Sequence, residues 1–301
     1  MASKIHDVGG LVYMDGANMN AIAGIIDLSK LGVDAVHNNL HKTWSISHGG
    51  GGPGDAIVAV SEKLLPYLPG HQVLLKDGIY QLSKTAKSIG SIHRHFGNFA
   101  HKIRCYSYIK ALGDQGVKKM SEVAVLSSAY LLQKLKKAFP ILPANTETVP
   151  RMHEFILTLS PDDFALLEKN GIPRAQAMAK VGKLFLDFGL HAPTVAFPEV
   201  FGLMIEPTES FTKAELDRFL EIVLAIGGII REHPTVLTTV PHFTPIYKVD
   251  EVEANKNLVL KEDNFTLPKA GPDKLSPKAM RNLRVNEIVQ KIVEAHGLRG
   301  K

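Results

Sequence analysis

His37-Asn38-Asn39-Leu40-His41-Lys42-Thr43-Trp44-Ser45-Ile46-Ser47-His48, followed at once by Gly49-Gly50-Gly51-Gly52-Pro53-Gly54, carries more information than any other part of the chain. A strand-like run over Gly32–Asn39 ends at His41-Lys42-Thr43, and the glycines follow. Upstream, Leu11–Met14 is a short apolar run that ends at Asp15, with Gly16-Ala17-Asn18 behind it and a small-residue turn or helix through Ile26. Downstream, Ala56-Ile57-Val58-Ala59-Val60 is continuously apolar, which predicts a buried parallel strand. This alternation predicts an α/β sheet. In open sheets of that class, ligands gather beyond the carboxyl ends of the strands, where Asp15 and Lys42 fall.

Lys42 lies in the least charged setting of any lysine in the chain, between His41 and Thr43 and near Trp44 and His48. Desolvation or positive neighbours turn a lysine into a Schiff-base nucleophile. A carboxylate on the adjacent strand would hold a pyridinium proton, so the pair fits a pyridoxal 5'-phosphate (PLP) enzyme. Gly49, Gly50 and Gly51 would let backbone amides approach an anion such as phosphate, although four glycines alone also suit a linker. Ala17 is small enough to sit against a ring face, and Asn18 could hydrogen-bond nearby. The plainer alternatives are an exposed loop lysine and an Asp-Gly turn. His37, His41, His48, His93, His95 and His101 lack the helix-facing spacing of a metal site, so no metal is expected.

At 301 residues, 45% hydrophobic and 22% charged, the chain has a globular composition with room for one large domain or two. No apolar stretch reaches the roughly 18 residues needed to span a bilayer, and the first residues lack the apolar core of a secretory signal. Cys105 stands alone, which excludes an intrachain disulfide and points to a reducing cytoplasm. The net charge is +5, and residues 271–301 hold seven Lys and Arg against Asp273, Glu287 and Glu294. No aromatic residues interleave with these charges, so a solvated helix face is expected there and nucleic acid is not.

Beyond about residue 91 the pattern changes. Helices are expected over His95–Leu112, with Phe96, Phe99, Ile103, Tyr106 and Ile109 or Lys110 on one face, and over Ser121–Phe139. A half-buried strand is expected over His153–Leu159 and a short one over Leu203–Ile205. Pro173–Phe188 reads as a helix stopped by Gly189, and Thr212 with Glu215 as a capping box on a helix that ends near Pro234. The expected division is a large-domain segment over 1–95, a smaller α+β domain over 96–260 and a charged tail over 261–301.

Several segments resemble the glycine cleavage system P-protein family, the PLP-dependent glycine decarboxylases, and most closely its subunit 2 type. Tyr13–Ala21 is similar to the family's cofactor aspartate motif, and Asn39–Gly54 to its lysine motif. Phe96–Phe99, His191–Thr194, Glu206–Phe219 and the segment 241–252 are further matches; Asn38 and Ser47 depart from an apolar residue and a proline. The resemblance implies a fold type I enzyme, represented by the back half of its large-domain sheet and its C-terminal small domain, with the front half lying outside this sequence. It implies that Lys42 carries PLP, that Asp15 contacts its ring nitrogen, and that His41, His48 and the glycine loop line the pocket. The implied reaction is glycine decarboxylation with aminomethyl transfer to the lipoyl arm of H-protein, in a cytoplasmic hetero-oligomer with P-protein subunit 1. Another fold type I enzyme, an aminotransferase or lyase, and a non-catalytic assembly fragment are the alternatives.

Overall fold

Asp34, one residue ahead of a strand, organises the start of the chain. The computed structural model describes residues 1–49, 52–92, 96–144, 148–195, 201–244, 246, 249–258 and 275–299. A short helix α1 (Ala2–His6) precedes β1 (Tyr13–Gly16), which pairs in parallel with β2 (Ala35–Asn39). The Asp34 carboxylate is 3% exposed and accepts hydrogen bonds from Val12 N at 2.9 Å, His6 Nε2 at 2.7 Å and Ser61 Oγ at 3.2 Å. Four segments therefore meet on one side chain: α1, the approach to β1, the approach to β2, and Ser61. The Val12 backbone donor, followed by the His6 hydrogen bond, holds the Asp34 carboxyl down at about 2.

After β2 comes a single helical turn, α2 (Leu40–Thr43), and then β3 (Ala56–Val60). β3 runs antiparallel to β2, with Ala35 opposite Val60, and Ile57 and Val58 are 46% and 60% exposed. The expectation of a buried parallel strand is therefore corrected. A parallel return needs a crossover, usually helical, of a dozen or more residues. One turn of helix and a glycine-rich loop instead bring the chain straight back. β4 (His71–Lys76) and β5 (Ile79–Lys84) form a separate hairpin across Asp77-Gly78, both at positive φ as such two-residue turns require.

α3 (Phe99–Leu135) is two helices joined across a kink at Gly113, whose φ of 63° and ψ of 179° are not helical; two helices were expected here, with other bounds. Of the expected apolar face, Ile109 packs inward but most of the rest does not. Phe99, Ile103 and Tyr106 are exposed, while Cys105 packs with Leu40 and Ile46, and Val117 and Met120 pack with Ala23. Ser121 Oγ donates to Ala23 O at 2.8 Å. The inner face of the helix follows the site turn it covers, not its largest apolar residues.

The chain resolves into two compact units, Met1–Ala124 and Val125–Lys301. The second unit holds a four-stranded sheet, in the order β6 (Ile141–Leu142), β7 (Phe155–Thr158), β9 (Gly202–Ile205), β8 (Thr194–Val195), with every pairing antiparallel. Helices α4 (Pro161–Lys169), α5 (Arg174–Asp187) and α6 (Lys213–Glu232) belong to this unit, followed by α7 (Glu251–Lys256), α8 (Pro277–Arg281) and α9 (Val285–Arg299). The Thr212–Glu215 capping box opens α6 as expected, and α5 stops before Gly189, which has positive φ. An unexpected second box, Ser160 with Asp163, opens α4. Burial opposes ionisation of Asp163, but the Arg231 guanidinium and Ser160 outweigh it and keep this carboxyl below its usual range.

Phe155, Leu157, Leu184, Phe185, Leu203, Ile222, Ile226 and Ile229 form the core of the second unit. Val285, Ile288 and Ile292 of α9 are buried in the same core, a stripe invisible in a tail read for its charge. Asp187 is fully buried at the end of α5. It accepts hydrogen bonds from His242 N at 2.6 Å, Phe243 N at 3.0 Å and His242 Nδ1 at 2.8 Å. The Thr239 hydroxyl is 2.8 Å from both His242 Nε2 and His296 Nδ1, which ties α9 to the Pro241-His242 segment.

Two measurements check these anchors. Because the Asp34 carboxyl is depressed when folded, its contribution is complete above the unfolded value of about 3.9 and disappears as pH falls through the folded value. Acid titration followed by Trp44 fluorescence will show a stability loss in that window, and Asp34→Asn will be less stable at neutral pH and flatter across it. Ile292→Ala removes a fully buried branched side chain and will cost about 2–5 kcal/mol in heat or urea unfolding of the second unit; an unchanged midpoint would mean that α9 is not part of the core.

Candidate cofactor site

Lys42 owes its position to its neighbours on α2. Leu40 and Thr43, three apart on one turn, are both buried and leave the Lys42 side chain exposed. Leu40 N donates to Asp55 O at 2.9 Å, and Trp44 N donates to Leu40 O at 3.0 Å, so the turn is pinned at both ends. Among the described residues Lys42 makes no ion pair and no hydrogen bond.

Asp15 sits on β1 opposite His37 of β2. Its Oδ1 accepts from Ala17 N at 3.0 Å, an Asx turn that reverses the chain, and lies 3.6 Å from His37 Nδ1. The Asp15 side chain is 70% exposed. His37 is stacked with Tyr13, whose hydroxyl is 2.5 Å from His37 Nδ1. Asn18 Oδ1 accepts from Asn20 N at 3.1 Å, which stabilises the turn. The two turns are joined directly: Met19 N donates to Thr43 Oγ1 at 3.1 Å. Asp15, Ala17 and Asn18 are thereby held at the same end of the parallel pair as Lys42 and Thr43.

A side chain at residue 16 would destroy this arrangement, since a Cβ there would lie 2.5 Å from His37 O. The close approach is used by Asn38, whose Nδ2 donates to Gly16 O at 2.7 Å and whose Oδ1 accepts from Trp44 Nε1. Asn38, which departs from the family pattern, thus clamps the end of β1 to the indole.

On the glycine side, His41 Nδ1 donates to Asp55 O at 3.3 Å, and its ring meets His48 edge-on with centroids 5.0 Å apart. Gly54 lies against the His41 ring. Gly49 has φ +57, the left-handed region, and a Cβ there would collide with Pro53. Gly50 and Gly51 lie outside the described residues. Asp55 anchors the exit of the run: it pairs with Lys102 and accepts from Asn98 N at 3.0 Å and Ala56 N at 2.8 Å, while Asn98 Nδ2 donates to Gly54 O at 3.1 Å. Burial works against its ionisation, yet the Lys102 hydrogen bond and the backbone donors keep the Asp55 carboxyl below its usual range. Asp55 and Asn38 were both missed as site residues. The signals available were an aspartate directly after the glycines and the Phe96-Gly97-Asn98-Phe99 motif, which is what Asp55 holds.

Chemically, the site offers an exposed amine without a partner among the described residues, an exposed carboxylate on the neighbouring strand, a histidine pair and, at Gly49, left-handed backbone. Asp15 and Lys42 are not bonded to each other, which leaves both groups available to a third species.

A family model described as glycine dehydrogenase, C-terminal domain, matches residues 120–239. A probable glycine dehydrogenase (decarboxylating) subunit 2 from Caldanaerobacter subterraneus subsp. tengcongensis is 43% identical over 264 residues, covering 87% of this chain and 52% of the relative. The protein of the same description from Pyrococcus horikoshii is 41% identical over 265 residues, covering 86% and 51%. Among solved structures, a glycine decarboxylase (P-protein) of the glycine cleavage system in inhibitor-bound form superposes with a TM-score of 0.50 at 19% identity, covering 77% of this chain and 50% of the other. Mouse CSAD in apo form gives 0.51 at 16% identity, covering 75% and 47%. These likenesses show the fold, and the fold type I α/β class expected from the sequence holds. The resemblance read from the motifs holds as well: this chain is related to the glycine dehydrogenase (decarboxylating) subunit 2 family and spans about half the length of the relatives it matches.

Proposed function

We propose that this chain supplies the lysine-bearing portion of a PLP-dependent glycine decarboxylase. The observation that carries the reading is the exposed Lys42 amine, unpaired among the described residues, on the turn after β2, with the Asp15 carboxylate on the parallel neighbour strand. The residues fit the cofactor. An amine without a competing ion pair is what an aldehyde needs, and a carboxylate on the next strand is what a ring nitrogen needs. The edge-on His41–His48 pair and the left-handed Gly49 support this reading, since an aromatic wall and open backbone amides suit a planar ring and its phosphate ester.

When bound, PLP supplies an electron sink for the charge left on the substrate carbon as carbon dioxide departs. The chain's own residues do the rest. Lys42 Nζ holds the cofactor, and Asp15 keeps a proton on the ring nitrogen by charge attraction. Ala17 leaves room for the ring face, Asn18 steadies its own turn, Thr43 joins the two turns through Met19 N, and His41 and His48 wall one side. Gly49, Gly50 and Gly51 offer amides to the phosphate. Residues 1–95 are then the back half of the cofactor-binding domain, 96–260 the small domain and 261–301 a charged extension.

The substrate in this reading is glycine. Its aminomethyl group passes to one sulfur of the lipoyl disulfide of H-protein, and the other sulfur leaves as the thiol, so the disulfide is the electron acceptor. P-protein subunit 1 is the expected partner in a cytoplasmic hetero-oligomer. No helix among the described residues is long and apolar enough to cross a membrane.

Borohydride reduction of the complex assembled with PLP and subunit 1, followed by peptide mapping, will place the label on Lys42, and Lys42→Ala will abolish it. A label elsewhere, or none, overturns the assignment and favours a non-catalytic assembly role. Asp15→Asn will retain the cofactor but lower turnover by about 100-fold or more, the scale of losing one preorganised electrostatic partner; wild-type turnover would contradict the role given to Asp15. Loss of carboxyl-labelled carbon dioxide from glycine without lipoylated H-protein dependence would point to a different fold type I activity.

A further inference from the structure

The second unit contains a polar cluster that the reading above does not use. Glu154 immediately precedes β7 and Glu206 immediately follows β9, and the register that sets Phe155 opposite Ile205 places these two glutamates opposite each other at the end of the ladder. Like charges directly opposed across antiparallel strands are destabilising. Beside them lies His153, only 5% exposed, and neither its Nδ1 nor its Nε2 has a hydrogen-bond partner among the described residues. A buried imidazole left unsatisfied at both nitrogens is costly, and such groups in native proteins call for an explanation.

The spacing supplies one. His153 Nε2 lies 3.7 Å from Glu206 Oε1 and 3.9 Å from Glu154 Oε2, both too long for hydrogen bonds. Ligand atoms each about 2.0–2.2 Å from a shared zinc ion stand roughly 3–4 Å apart. One ligand atom from each of the three residues lies within 4.8 Å of the other two. The two glutamate side chains are 41% and 30% exposed, which leaves a path for an ion and room for water as a further ligand.

We propose that His153, Glu154 and Glu206 form a binding site for one divalent transition-metal cation, zinc or manganese in class. One imidazole nitrogen with two carboxylates suits these ions better than magnesium or calcium, which favour all-oxygen sets. A bound ion would satisfy one buried ring nitrogen and fasten the end of β7 to the end of β9. The site eludes a motif search because its ligands are adjacent in sequence on one side and a strand pairing away on the other. It stands independently of the cofactor assignment, which concerns the first unit.

The test is zinc titration of the full chain after chelator treatment, read by competition with a chromophoric indicator and by the thermal midpoint, with cobalt(II) substitution as a spectroscopic reporter. One equivalent of zinc will bind and raise the midpoint, and cobalt will give visible bands of a site with one nitrogen and oxygen donors. Glu206→Gln and Glu154→Gln, both at half-exposed positions outside the core, will each weaken zinc binding by more than about tenfold and remove the thermal gain. His153→Gln will do the same where circular dichroism shows it folded. Absence of stoichiometric zinc binding to the wild-type chain, or equal affinity in the two glutamine variants, would overturn the proposal.

Discussion

The bond from Val12 N to the Asp34 carboxylate fixes where the first two strands begin, and the geometry of the candidate site follows from it. With that acceptor one residue ahead of β2, Asp15 falls opposite His37 and Gly16 opposite Asn38. The chain then leaves β2 into the turn that carries Lys42. A shift of one residue would send every side chain of the strand to the other face. It would also set a new residue against His37 O, where only glycine fits. The Asn38 amide, spanning Gly16 O and the Trp44 indole, and the Met19–Thr43 bond hold the two turns in that relation after the strands have ended.

What could be read from the sequence was local. The Lys42 and Asp15 turns, the Thr212 capping box, the Gly189 stop and the strands at 155–158 and 202–205 all depend on residues within a few positions of one another. The features that were not legible depend on partners far along the chain. The direction of β3 is set by how its loop returns, and the inner face of α3 by where Leu40 and Ile46 lie. Asp55 earns its place only through Lys102 and Asn98, more than forty positions away. The α9 stripe was hidden because three branched residues spaced among charges are as compatible with a solvated helix as with a docked one.

The second unit shows how buried polar groups can be reconciled with an apolar core. Asp187 spends its two oxygens on three donors of the Pro241-His242-Phe243 segment, and Thr239 passes the chain of hydrogen bonds on to His296. Burial, with His242 and His233 nearby, pushes the His296 imidazole down, which favours the neutral ring that this chain of bonds uses. The network places α9 by direction as well as by packing, since Ile288 and Ile292 alone would tolerate a sliding helix.

The β4–β5 hairpin carries a different consequence. Val73, Leu74, Leu75, Ile79, Tyr80 and Leu82 all stand 47% or more exposed, so both faces of the ribbon are greasy. A lone two-stranded ribbon is marginal in water, and bare strand edges of this kind recruit other chains. An exposed apolar ribbon of this kind is a surface through which copies of the chain would pair on concentration, and a charged side chain on its edge would oppose that pairing.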